Sequence, residues 1–338
     1  MANQAVVHSA PSASRQWYAG LQGIARQQGA LWALVLVFLY GVWRYGENFT
    51  SSFNLWKLLQ NNTFFALIAL GMTFVIMTGG IDLSVGAVVA LTAVAGARLS
   101  SEGLWIAAGG AVALGIAVGL INGFLIARFH VQPFIITLAA LLAARGAALN
   151  LSHNASVSID FKSGFRDLWT TKVGDIPLPV LITSVLYVLG SITLNLTRFG
   201  RHTLAIGGNE EAARLAGLPV SRTLVAVYAL SGGLAGLAGA FQASSGTGSP
   251  IAGIGWELTA IAAVVVGGTL LTGGRGSVGT TLAGVVLLGL IFNELNFEQG
   301  KGTFTLPQYW EEIIRGAFLL IVVLLQARLS RQQGSLRH

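Results

Sequence analysis

The sequence predicts an all-α polytopic membrane protein of about ten transmembrane helices, some of them broken or re-entrant. Of its 338 residues 54% are hydrophobic and only 10% are charged. A soluble domain carries roughly 25% charged residues, because its surface must be wetted. Glycine points the same way: there are 44, about twice the ordinary share of roughly 7%. These glycines sit inside apolar runs, where small residues let transmembrane helices approach closely. A surface so poor in polar groups faces a bilayer.

Residues 1–28 are polar, carry Arg15 and Arg26, and lack an apolar core followed by a small-residue cleavage site. No cleaved signal peptide is expected, and the segment reads as a cytoplasmic tail before an uncleaved first anchor. Apolar spans follow at about 29–45, 60–79, 83–98, 104–127, 132–148, 177–197, 223–243, 257–273, 277–293 and 309–327. One crossing takes roughly 20 residues, so 83–98 and 132–148 are short, as in helices that break around a protein-lined cavity. The membrane domain thus occupies 29–327, with a second cytoplasmic tail at 328–338.

Ten crossings put both termini on one side. With the termini in the cytoplasm, eleven arginines and three acids (Asp82, Glu210, Glu211) face inward, giving +8 there and −1 elsewhere. This is the asymmetry of the positive-inside rule, so the net charge of +7 requires no nucleic-acid partner. The chain has no cysteine, which excludes disulfides and thiolate metal sites.

Two loops are long. The outer one, 149–176, is polar with charges of both signs. The inner one, 198–222, contains a readable helix. Asn209 is its cap, Glu210 and Glu211 suit the first turn, Ala212, Ala213, Arg214, Leu215 and Ala216 continue it, and Gly217 with Pro219 ends it. Two turns, roughly 10 Å, are too short to be stable alone. The helix either packs on a partner or is a solvated connector.

Asp82 lies between two apolar spans, where an ionisable group is costly unless solvated, paired or capping. It either caps the helix starting at Leu83 or lines the inner mouth of a pathway, with Ser84 beside it. Glu257 opens the eighth span as a cap or a gate. Arg315 sits four residues after Glu311, which offers it an ion pair on one face. Thr78-Gly-Gly-Ile-Asp-Leu-Ser-Val-Gly86 echoes Thr272-Gly-Gly-Arg-Gly-Ser-Val-Gly279 across six spans, as a parallel repeat would. No G-x-x-x-x-G-K-[ST] loop and no H-E-x-x-H occur. His8, His130, His153, His202 and His338 are scattered. No nucleophile–base pair stands out, so the chain reads as no enzyme. Acids deep within spans are nearly missing, which disfavours ion coupling.

Three stretches resemble one family. Gly71-Met-Thr-Phe-Val-Ile-Met-Thr-Gly-Gly-Ile-Asp-Leu-Ser-Val-Gly86 is similar to the signature of permease subunits of bacterial ribose-type ABC sugar importers. Thr197-Arg-Phe-Gly-Arg-His-Thr-Leu-Ala-Ile-Gly-Gly-Asn-Glu-Glu-Ala-Ala-Arg-Leu-Ala-Gly-Leu218 resembles their ATPase-contacting loop. Glu257-Leu-Thr-Ala-Ile-Ala-Ala-Val-Val-Val-Gly-Gly-Thr269, followed by Gly273-Gly-Arg-Gly-Ser-Val-Gly279, resembles their late signature. The likeness runs from about 50 to 327. Phe134-Ile-Ile-Thr-Leu and the segment after Asn293 lie nearest the galactofuranose-type importers, which pair two different permeases.

The resemblance implies a bacterial inner-membrane assembly of two permeases, identical or homologous, two ATPase subunits and a periplasmic sugar-binding protein. ATP and Mg are then bound by the ATPase, with no cofactor in this chain. Asn209 to Gly217 becomes the coupling helix. Polar and aromatic side chains suited to a sugar pathway are Phe74, Asp82, Ser84, Asn122, Gln132, Phe134, Thr137 and Glu257, with Phe64, Phe65, Thr73, Ser231 and Gln242 behind them. Each also reads as an ordinary interhelical contact. The alternatives are a permease for branched-chain amino acids or an ion-coupled carrier.

Overall fold

Some helices of this chain begin where a hydroxyl or proline opens the turn, and some end where a left-handed residue closes it. A computed structural model describes residues 29–300, together with Trp310, Ile313, Gly316, Ala317 and Leu320. The expected tails and, those five positions apart, the tenth span with Glu311 and Arg315 lie outside the described residues.

The helices are α1 (Gly29–Tyr45), α2 (Glu47–Thr50), α3 (Ser52–Met77), α4 (Val85–Arg98), α5 (Leu104–Phe129), α6 (Pro133–Ser152), α7 (Asp167–Thr170), α8 (Leu178–Leu196), α9 (Arg198–Gly208), α10 (Glu210–Leu215), α11 (Val220–Ser244), α12 (Trp256–Val266) and α13 (Val278–Gly300). Ser51 caps α3 by accepting the Asn54 N–H at 3.3 Å. Pro133 opens α6 at the position where a missing N–H costs nothing. His130 and His153, at φ 53° and 52°, close α5 and α6 in the left-handed region. Among the described residues seven helices are long and apolar enough to cross a membrane, and α1 and α12 are shorter apolar helices.

α11 is the hub and packs on α3, α4 and α5. Its seam with α5 is made of glycine. A side chain at Gly115 would fall on the Gly232 carbonyl oxygen, one at Gly232 on that of Gly115, and one at Gly119 on that of Tyr228. The backbones touch because nothing stands between them. At the other edge α1 docks on α13, where Arg44 pairs with Glu298 at 3.0 Å and Tyr45 donates to the same carboxylate.

Two expectations need correction. The span at 132–148 is not short: α6 has 20 residues, because Leu149–Ser152 continue the helix, with Ser152 buried, until His153 turns left-handed. The span at 257–273 is instead the broken one. α12 stops after 11 residues, where Gly267 and the left-handed Gly268 end it and a loop runs to Val278. The long polar loop has structure of its own. β1 (Val157–Ser158) pairs with β4 (Thr247–Gly248), β2 (Lys172–Val173) pairs with β3 (Ile176–Pro177), and Phe165 is fully buried. Trp169 in that loop stacks on Phe64, ring centroids 5.0 Å apart, which draws its backbone over the bundle.

Candidate functional site

The expected short span at 83–98 does form as a short helix, α4, and the segment before it creates a buried polar layer. Residues 78–84 leave the C-terminal end of α3, the end expected to face inward, and run back into the protein without helical structure. Asp82 Oδ1 accepts the Ser84 N–H at 3.0 Å and the Ser84 hydroxyl at 2.6 Å. Asp82 Oδ2 accepts the Ser231 hydroxyl of α11 at 3.0 Å, and Asn122 of α5 donates to Ser84 Oγ at 3.1 Å. Thr137 of α6 donates to the Ile81 carbonyl at 3.2 Å. Ser231 lies eleven residues into α11, roughly 16 Å along its axis. The carboxylate therefore lies well inside the bundle, about as far from the start of α11 as from its end. Irregular backbone survives at that depth only where protein satisfies it, and Asp82 supplies the acceptors.

Asp82 is 1% exposed, so its carboxyl depends on the bonds from Ser84 and Ser231 for the partners that water would otherwise supply. Asp82→Asn keeps one acceptor oxygen and offers an amide to Ser231, whose hydroxyl also accepts. Asp82→Ala strands the Ser84 donors, at about 1–3 kcal/mol. Thermal unfolding should therefore show the Ala variant well below the Asn variant. Equal loss in both would mean that the negative charge itself is required.

A second layer lies toward the outer side. The Arg145 guanidinium of α6 donates to the carbonyls of Pro250 and Ala252 at 2.6 and 2.8 Å. It thereby holds the loop that precedes α12. Glu257, in the first turn of α12, interacts electrostatically with Arg145. Gly253 of that loop meets Gly86 in the first turn of α4 so closely that a side chain on either would strike the other's backbone. The outer loop thus descends as the 78–84 segment climbs, and the two irregular stretches nearly meet.

At the inner end three glycine turns come together. Gly274 donates its N–H to the Met77 carbonyl at 3.0 Å. A side chain at Gly273 would collide with Gly79 and Gly207, and one at Gly207 with Met77 and Gly274. Gly79 and Gly273 share nearly the same left-handed φ, 83° and 84°. The two Thr-Gly-Gly echoes therefore share the conformation of their first glycine, differ at the second, where Gly274 is left-handed at φ 74° and Gly80 is not, and pack on each other across the end of α9.

Directly after this joint comes α10. Asn209 Oδ1 accepts the Ala212 N–H at 2.9 Å, Arg214 pairs with Glu210 at 2.8 Å, and Gly217 closes the helix at φ 76°. Ala213 is its one buried residue and packs with Ile206, Val220 and Leu224. Glu211, Ala212, Ala216 and above all Leu215, 84% exposed, point away from the chain. Arg214 also contacts Nε2 of His130 at 2.9 Å. Behind α10 an inner pocket of about 220 Å³ is lined by Gly79, Gly80, Gln132, Pro133, Glu210 and Arg214.

The remaining expected residues divide. Phe74, Asp82, Ser84, Asn122 and Thr137 are almost wholly buried, and Phe74 stacks on Phe199 at 6.0 Å. Phe64 and Phe65 are engaged with Trp256, and Phe64 also with Trp169. Gln132 and Phe134 lie exposed on α6, and Glu257 is half-buried. Two residues were missed. Arg145 is a lone charge inside the span 132–148, a signal in itself. Tyr228 carries a buried hydroxyl without a hydrogen-bond partner, against Gly80, and no local pattern marks it.

Comparison with known proteins agrees with this architecture. A family model described as the permease component of branched-chain amino acid transport systems matches residues 54–323. The ribose import permease of Escherichia coli strain K12 is 38% identical over 304 residues, 88% of this chain and 92% of its own length. The L-arabinose transport system permease of the same strain is 38% identical over 280 residues, 82% and 83% of the two chains. An inner membrane ABC transporter permease of that strain is 39% identical over 307 residues, 88% and 90%. No solved structure matches the chain. Matched along most of its length by the model and by these relatives, the chain belongs to that permease family, as a membrane subunit of the ribose type of ABC importer.

Proposed function

We propose that the chain is the membrane-spanning subunit of an ATP-driven importer that carries a monosaccharide, a pentose or a hexose such as galactofuranose, across the bacterial inner membrane. The observation that carries this reading is α10. A six-residue helix that buries one alanine and exposes Leu215 has a free face for a partner, and its root is built into the glycine joint. An ATPase subunit docked on that face moves α10. Gly207 then passes the displacement to both Thr-Gly-Gly turns, and through 78–84 to Asp82. The chain itself holds no nucleotide. Its termini lie in the cytoplasm, and a periplasmic binding protein delivers the sugar to the opposite face.

The pathway runs along the face that a second permease covers. Most polar candidates inside the chain are sealed by one another, whereas Gln132, Phe134 and Glu257 reach the α6–α12 side, where Ile251, Ile254 and Leu258 are also exposed. Phe134→Ala should lower sugar flux several-fold while ATPase copurification is unchanged. Retained flux removes Phe134 from the pathway. The family description names amino acids, but the relatives aligned over most of both chains carry sugars in their names. Reconstitution with the ATPase and the cognate binding protein tests the reading: uptake of a monosaccharide only with ATP is expected. Uptake by this chain without any ATPase, or a binding protein that takes leucine in place of a sugar, overturns it.

A further inference from the structure

Beside the end of their seam, where Gly123 still lies against the Val225 backbone, α5 and α11 flank a groove of about 610 Å³, within the range, roughly 300–1,000 Å³, of sites that hold a small organic ligand. Its walls are apolar: Leu120 and Phe124 from α5, Val225, Ala226 and Ala229 from α11. Phe124 is 56% exposed, so the groove opens to the surroundings of the bundle. Its end is different. Arg128 in the last turn of α5 and Arg222 in the first turn of α11 stand there, both exposed, and no carboxylate lines the groove. Among the described residues neither arginine is in an ion pair. Arg222 also sits at the helix end where the backbone dipole opposes a cation, and α11 has no acid in that turn to compensate.

From Arg222 to Ala229 the groove runs seven residues, roughly 10 Å along the helix. A ligand that fits has an anionic head at the ends of the helices and an apolar tail along them. We infer that the groove binds an anionic phospholipid, its phosphate between Arg128 and Arg222 and an acyl chain against Leu120, Phe124, Val225 and Ala229. Basic pockets between transmembrane helices at the cytoplasmic boundary recognise such headgroups. A second copy of this chain fits less well, because a two-fold contact here would bring four arginines together. The leaflet rests on the orientation proposed above; the site itself does not. Ala127 and Ser221 line both this groove and the inner pocket behind α10, so the lipid lies against the coupling region.

The test is retention of phosphatidylglycerol against phosphatidylcholine by the full chain purified with its subunits and passed through nanodiscs of mixed composition. Preference for phosphatidylglycerol should fall about 30-fold in an Arg128→Gln, Arg222→Gln double variant, equivalent to roughly 1 kcal/mol per arginine. Inorganic phosphate should not compete. Ala226→Trp, which fills the groove and leaves both charges, should release the lipid as well, and it decides the matter if the double variant does not fold. Equal retention of the two lipids by the native chain overturns the inference, as does undiminished preference in these variants. The chain has no native cysteine, so a disulfide between two copies of an Ala226→Cys variant would also overturn it, by showing a permease in the groove. ATP-driven uptake is not read in this experiment, so its outcome and that of the transport reading are separable.

Discussion

Ala213→Pro should abolish ATP-driven sugar uptake while the chain remains in the membrane. Proline at this position removes the bond from the Ala213 N–H to the Asn209 carbonyl, 2.9 Å in the native helix. Its ring also clashes with the preceding turn, a cost of about 3 kcal/mol or more in a helix interior. A helix of six residues has no spare turns over which to spread that cost. Membrane fractions should contain normal amounts of the variant, but the ATPase should no longer copurify with it, and uptake should drop to background. Leu215→Asp is the companion experiment: it leaves the helix intact and changes only its most exposed apolar side chain. Loss of copurification there assigns docking to the α10 surface. Full uptake in both variants would refute the coupling role.

Gly119→Val should prevent the bundle from assembling, and Gly109→Val, ten residues earlier on the same helix, should be almost silent. The chemistry of the two changes is identical, and both raise helix propensity alike. The difference is in what the new side chain meets: the Tyr228 carbonyl of α11 at Gly119, nothing within 4 Å at Gly109. Overpacking in a well-filled core typically costs 1–3 kcal/mol and can cost more; here backbone lies against backbone and no side chain can rotate away. Thermal unfolding in detergent should show a large fall for Gly119→Val and a shift within roughly 0.5 kcal/mol for Gly109→Val, as surface substitutions give. Similar melting of the two would mean that the seam is looser than its geometry.

The sequence was most legible where one local signal decides one local structure. Asn209 and Gly217 bracket α10 because a side-chain cap and a left-handed glycine act within four residues of themselves. The glycine count foretold close helix approach, though not which pairs would meet. The broken helix was misplaced because Gly267 and Gly268 lie in an apolar run, where glycine serves helix packing and helix ending equally well. The partner of Asp82 was out of reach for another reason: Ser231 is 149 residues away, and no period in the sequence connects them. Arg145 was legible and overlooked; the rule applied to Asp82, that an ionisable group among apolar spans has a task, applies to it with equal force.

The grip of Arg145 on the loop before α12 has a mechanical corollary. In the orientation and transport reading proposed above, a solute entering from the outer compartment would meet a plug pinned to α6 at two points and resting on the first turn of α4. The plug cannot lift while α6 stays still, unless both pins are drawn from a half-buried guanidinium that then keeps only its interaction with Glu257. Outer access and the tilt of α6 are therefore a single movement, and a chain frozen in one is frozen in the other.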